Sequence, residues 1–178
     1  MAGGHIYVDE STQGKYLLIC SFVASANAND LRKTLRGLLL KGQRSIHMKA
    51  EKPHRKCQIL DVIAATSPEV VVYIADGRRS GGQHAARAAC LAEVAREAMG
   101  RAAQRLVLDR NESTQRHDQR TIAHAARDLG LPKPPFDYYH QPRHEEPLLW
   151  VPDAVGWAWA KGGTWRARVS PFVRSIEL

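Results

Sequence analysis

Acidic residues are scarce in this chain, and cysteine is scarcer. Only 18 Asp and Glu stand against 26 Lys and Arg, a formal net charge of +8 over 178 residues. That imbalance favours a polyanionic partner such as nucleic acid. The three cysteines, Cys20, Cys57 and Cys90, lie far apart in apolar contexts. An odd count at no metal-ligand spacing argues against a disulfide framework and reads as buried free thiols in a reducing compartment. No apolar run approaches the length that spans a bilayer. The N-terminus enters a strand almost at once, with no visible signal peptide, so a cytoplasmic location is expected. Neither a Walker-type phosphate loop nor a G-x-S-x-G elbow occurs, which leaves ATP hydrolysis and serine hydrolase chemistry without support. His5, His47 and His54 lack a zinc spacing and read as free core or surface histidines. Repeats and low-complexity tracts are absent too. With 44% hydrophobic residues and no shift in composition, residues 1–178 form one domain.

What is present is an alternation of strand and helix signals. Ile6-Tyr7-Val8 opens a strand that ends in Asp9-Glu10-Ser11, and Ser11 to Gly14 supplies a turn. Tyr16 to Ala24 is a long apolar run that pairs back on the first strand. Leu31, Leu35, Leu38 and Leu39 form one helical stripe, stopped by Gly42. Ser45 to Lys49 predicts a short third strand. Pro53 opens a helix that buries Cys57, Leu60, Ile63 and Ala64, and Pro68 closes it. Val70 to Ala75 is a strand buried on both faces. Gly77 to Gly82 reads as a loop, followed by an alanine-rich helix over about 83–99. Arg105 to Asp109 is a strand with an acid at its end. A helix around Ile122 to Leu129 and a strand at Phe136 to His140 follow. The last helix starts near Glu145 or Glu146 and runs to Lys161, with a kink or restart expected at Pro152. The tail can add a terminal strand. This order predicts a mixed α/β sheet with helices on both faces.

Against so basic a background the acids at element ends stand out. Side chains alternate along a strand, so Asp9 and Glu10 cannot share a face, and one of them points toward a core. There an ionised carboxylate must be paired or bound to a metal. Asp109 ends a later strand. Asp153 lies in a helix apolar nearly all round, where it either caps a restart after Pro152 or binds a cation. Glu51 stands at a helix start beside His47 and Lys49. Isolated acids of this kind suit a hard divalent cation such as Mg²⁺, which takes oxygen ligands. Two such ions can clamp the attacking and leaving oxygens of a phosphodiester.

Several of these segments resemble an uncharacterised bacterial family with an RNase H-like fold, whose first strand ends in Asp-Glu-Ser-Gly. Tyr7-Val8-Asp9-Glu10-Ser11 is similar to that opening strand, and Ile46-His47-Met48-Lys49 to the family's His-x-Lys segment. Leu108-Asp109 resembles its acid at a later strand end. Val151-Pro152-Asp153-Ala154-Val155 is similar to its C-terminal Ala-Asp helix. Thr12, Pro152 and Trp150 depart from the usual Gly, Ala and Gln. The resemblance implies an RNase H-like fold and a nuclease dependent on Mg²⁺ or Mn²⁺. It implies that Asp9 bridges two metals, that Asp109 and Asp153 complete the sites, and that Glu51 is the helix carboxylate near the substrate strand. The simplest form of that topology would put the second strand acid at Asp76. Asp109 is preferred, because Asp76 opens a Gly-Arg-Arg loop. Glu10, Asp118 and Glu146 are reserve candidates, Glu146 because a continuous last helix would set it on the face of Asp153.

Basic residues flank these acids: Lys49, Lys52, Arg55 and Lys56 near Glu51, Arg78 and Arg79 in the glycine-rich loop, and Arg110, Arg116 and Arg120 after Asp109. They are read as contacts to a nucleic-acid backbone, with a solvated helix face as the plain alternative. Two other functions remain open. One is an idle RNase H-like module that binds nucleic acid or a partner protein. The other is a protein whose acids are all caps and ion pairs.

Overall fold

The structure, a computed structural model, describes residues 3–178. Strand β1 (Gly4–Ser11) turns through Gly14, at φ +81°, into the antiparallel strand β2 (Tyr16–Ala24). Only glycine adopts that φ without strain. Strand β3 (Glu69–Ala75) runs antiparallel to β2. Strand β4 (Arg105–Asp109) lies parallel to β1, and β5 (Asp137–Gln141) parallel to β4. Strand β6 (Val173–Glu177) lies parallel to β3, giving the order β5-β4-β1-β2-β3-β6.

Among the described residues seven helices flank the sheet: α1 (Ala28–Arg36), α2 (Pro53–Ala65), α3 (Gly77–Ser80), α4 (Gln83–Gly100), α5 (Gln115–Asp128), α6 (Trp150–Lys161) and α7 (Gly163–Val169). Strand alternation divides the core in two. Tyr7, Leu17, Ile19, Val72 and Val107 pack under α1, α2, α6 and α7. Ile6, Val8, Leu18, Leu106 and Leu108 pack under α4 and α5. The expected mixed sheet with helices on both faces is therefore present.

Helix α6 sits unusually close to the sheet. A Cβ on Gly156 would lie 2.6 Å from Ile19 Cδ1 and 2.9 Å from Ile19 Cγ1. Glycine thus lets the helix backbone approach β2, and it does so one turn beyond Asp153.

Four local expectations need correction. Ser45 to Lys49 is not a strand; Met48–Ala50 forms a single 3-10 turn. Ile46 and Met48 are both buried, which imitates strand alternation, but they pack in the core on the α6 side. Helix α1 ends at Arg36, before Gly37, rather than at Gly42. The glycine-rich loop contains the short helix α3, whose start Asp76 caps by accepting from Arg78 N at 3.0 Å. The last helix is not continuous from Glu145. A 3-10 turn over Pro147–Leu149 precedes α6, and Pro152 falls in the first turn of α6. No kink is required there, because N–H groups of a first turn have no intrahelical partner to lose.

Candidate active site

Strands β1 and β4 run side by side with Val8 opposite Leu108. One residue further, Asp9 and Asp109 leave the sheet together at its C-terminal edge. Each lies two residues beyond a side chain of the α6-side core, Tyr7 and Val107. Period-2 alternation therefore turns both carboxylates toward α6. Asp153, the fourth residue of α6, meets them from above. Asp76 follows β3 at this same edge of the sheet, but β2 stands between β3 and β1, so Asp76 lies two strands away from Asp9.

Between the three carboxylates lies the guanidinium of Arg143. Its Nη2 is 2.5 Å from Asp109 Oδ2 and 3.8 Å from Asp9 Oδ2, and its Nη1 is 3.1 Å from Asp153 Oδ1. The arginine follows β5, and Trp150 Nε1 donates to its carbonyl oxygen at 2.7 Å. His47 closes the group: its Nδ1 is 3.2 Å from Asp153 Oδ1 and also touches the guanidinium. The backbone N–H of Met48 donates to Asp153 Oδ2 at 2.8 Å. Asp153 thus turns into this cluster instead of capping α6, which has no side-chain cap at its start.

The electrostatics follow from crowding. Burial, then Asp153 and Asp109, push the Asp9 carboxyl well above its ordinary value. Arg143 and the N–H of Glu10, which donates to Asp9 Oδ1 at 2.8 Å, act in the opposite sense. Burial also works against the charge on Arg143, but Asp153, Asp9 and Asp109 more than offset it and hold its pKa above the usual range. Among the described residues no three His, Cys, Asp or Glu side chains stand close enough to share an ion. The guanidinium fills the space between the carboxylates instead. As a donor set, three carboxylates from three elements with no sulfur fit a hard divalent cation, and a cation already stands among them.

The site opens into a cleft of about 490 Å³ lined in part by Asp9, Glu10, Asp109, Arg110, Glu112 and Arg143. Glu10 belongs to its other side. It faces the α4 side of the sheet, where Arg87 Nη1 donates to its Oε2 at 2.8 Å and Tyr16 donates to the same oxygen at 2.6 Å. Arg87 also forks onto Asp118, with both N···O distances 2.8 Å, and His140 Nε2 lies 2.9 Å from Asp118 Oδ2. Asp118 is completely buried. It is the centre of a buried ion cluster with Arg87, Glu10 and His140, on the face of the sheet opposite to the Asp9 and Asp109 carboxylates.

Two other candidates also turn elsewhere. Glu51 accepts from Gln43 at 2.5 Å and pairs with Arg55 at 3.6 Å. Glu146 caps the 3-10 turn before α6 and pairs with Arg32 at 2.9 Å, so it does not share a helix face with Asp153. Arg55 is buried and donates to Leu38 O at 2.6 Å, which takes it out of the set of phosphate contacts. Lys49, Lys52, Arg78, Arg79, Arg110, Arg116 and Arg120 are exposed. Sequence reasoning missed Arg143 altogether and read His47 as free. The one local signal was a basic residue between a strand and the helix of Asp153.

No model of a protein family matches the chain, and no curated protein matches it. Solved structures do. One is an RNase HII from Archaeoglobus fulgidus, solved in complex with PCNA: TM-score 0.59, 15% identity, over 95% of this chain and 78% of that one. Another is Bst-RNase HIII in complex with Mn²⁺: TM-score 0.53, 12% identity, over 87% of this chain and 51% of that one. At such identities the likeness is one of fold, and the fold is RNase H-like. The chain spans about half the length of the second structure. Among the described residues no helix is long and apolar enough to cross a membrane.

Proposed function

We propose that this protein is a nuclease that hydrolyses phosphodiester bonds with Mg²⁺ or Mn²⁺ held by Asp9, Asp109 and Asp153. The observation that carries the reading is the convergence of three carboxylates, from β1, β4 and α6, on a single cation at the mouth of a cleft. The RNase H-like fold supports it, as does the Mn²⁺ bound by one structure of that fold. A divalent ion held there supplies Lewis-acid stabilisation of the charge that develops on a phosphoryl oxygen.

The chain's own residues would do the rest. Asp9, between Asp109 and Asp153 in the cluster, would hold the ion together with them. The N–H groups of Glu10 and Met48 fix the rotamers of Asp9 and Asp153, so that little ordering remains when an ion binds. His47, half-exposed beside Asp153, is placed to hold or pass a proton at the cleft edge. Arg110 lines the cleft, and with Lys49 it would hold the substrate backbone. The net charge of +8 supports nucleic acid as the substrate.

A second reading is favoured by one observation: a guanidinium stands among the acids. On that reading the protein is an idle RNase H-like module that binds nucleic acid or a partner protein. Labelled single- and double-stranded DNA and RNA incubated with Mn²⁺ separate the two. The nuclease reading expects cleavage by the wild type, none in EDTA, and none by Asp9→Asn. Binding without cleavage under every condition would leave the idle module.

A further inference from the structure

We infer that Arg143 is an exchangeable cation built into the acidic site: its guanidinium and the divalent ion compete for one seat, so that metal loading expels the arginine. The inference rests on the metal-dependent reading of this site. It goes beyond it by naming what the ion displaces.

The geometry points this way on three counts. First, Arg143 approaches all three carboxylates, which otherwise have few partners. Asp109 is held at 2.5 Å, Asp153 at 3.1 Å and Asp9 at 3.8 Å. A guanidinium fork matches carboxylate oxygens well. Second, formal charge is left over. Three carboxylates around one arginine carry a net of two negative charges, and a divalent ion in its place compensates one more than the arginine does. Third, the arginine is held by its backbone and is free at its tip. Trp150 fixes the carbonyl oxygen. The side chain is one-quarter exposed and already lines the open cleft. Rotation about its side-chain bonds would carry the guanidinium outward without moving β5 or α6.

Other charged clusters do not behave this way. Arg87 also borders the cleft, but its side chain is only 6% exposed and is held by Glu10, Tyr16 and both oxygens of Asp118. Arg32 is locked bidentately on Glu146 and also donates to Tyr7. Of these three clusters, only the one around Arg143 combines three carboxylates with a cation that is one-quarter exposed at the cleft.

The test is Mn²⁺ affinity, measured on the full chain by the electron spin resonance of free Mn²⁺. Loading needs the state with the arginine turned out, and for a minor state populated at about 0.1–10% removal of the arginine tightens apparent affinity by about 10–1,000-fold. Arg143→Gln should therefore bind Mn²⁺ tighter than wild type by a factor in that range. Arg143→Lys keeps the charge but lacks the planar fork of the guanidinium, and should fall between them. Should Arg143→Gln fail to fold without metal, its recovery of a cooperative melt on adding Mn²⁺ would be the same result in another form. A variant unfolded even with Mn²⁺ passes the decision to wild type. There, Mg²⁺ should move the Arg143 guanidinium NMR signals from slowly exchanging to freely exchanging. Mn²⁺ binding by wild type with equal or weaker binding by Arg143→Gln would overturn the exchange and leave the metal reading standing. Guanidinium signals unchanged at saturating Mg²⁺ would do the same. No Mn²⁺ bound by wild type or by either variant would overturn both.

Discussion

Replacing Asp118 by Asn tests whether the Arg87 cluster is structural. The side chain keeps its shape and loses its charge. In the protein, Asp118 is completely buried and takes two 2.8 Å bonds from Arg87 and one 2.9 Å contact from His140. Removing one partner of a buried ion pair costs about 3–5 kcal/mol, because the other charge is left buried without compensation. Glu10 still faces Arg87 at 2.8 Å, so the lower end, about 3 kcal/mol, applies. For a chain of this length each kcal/mol moves Tm by about 2–4 °C, and the variant should melt roughly 6–12 °C below wild type in EDTA. The pH dependence has a definite sign. Burial raises the Asp118 pKa, but bonds from Arg87 and His140 more than reverse this and hold it below the ordinary value. Its contribution is therefore fully present above the unfolded value of about 3.9. It is lost as pH falls from there through the folded value, so the two melting curves should converge in acid. Melting followed by circular dichroism from pH 7 to pH 3 reads both effects. An Asp118→Asn protein that melts like wild type but loses Mn²⁺ binding would refute the reasoning and return Asp118 to the active site.

Asp9 should respond in the opposite sense. Asp9 has its pKa raised, so its ionised form destabilises the metal-free fold increasingly as pH rises above about 3.9. Asp9→Asn should therefore melt at or above the wild-type temperature in EDTA at pH 7, and Mn²⁺ should stabilise wild type alone by mass action. Gly156→Ala forces a methyl group to within 2.6 Å of buried Ile19, an overpacking cost of about 1–3 kcal/mol set against about 1 kcal/mol of helix propensity. A net loss of up to about 2 kcal/mol is expected in a denaturant titration, and a gain would show that α6 has room to move. Nucleic-acid affinity should fall by about 0.9 log units per log unit of salt for each phosphate neutralised on duplex DNA. The mutation Arg110→Ala should reduce that slope by about 0.9, whereas an unchanged slope would remove Arg110 from the interface.

The legible part of this site was the part that local geometry controls. Period-2 alternation alone separates Asp9 from Glu10, and the structure sends them to opposite faces of the sheet. The apolar surroundings of Asp153 marked it as an acid needing a partner. Pairing was harder. Choosing Asp109 over Asp76 depends on which strand lies beside β1, a question of topology that neither strand's own residues answer. Asp118 and Glu146 could not be told from ligands, because the arginines that claim them, Arg87 and Arg32, lie 31 and 114 residues away. Arg143 was invisible for the same reason: nothing around it in the chain announces three carboxylates from other elements. Ser45 to Lys49 misled through a real property, since Ile46 and Met48 are buried, but against α6 rather than within the sheet.

The central claim is that Asp9, Asp109 and Asp153 form a divalent-metal site. A crystal grown with Mn²⁺ and measured at the manganese absorption edge tests it most directly. An anomalous peak is expected within about 2.5 Å of carboxylate oxygens of Asp9 and Asp109, with the Arg143 guanidinium turned into the cleft. A crystal whose manganese lies elsewhere, with Arg143 still between Asp109 and Asp153, would contradict it.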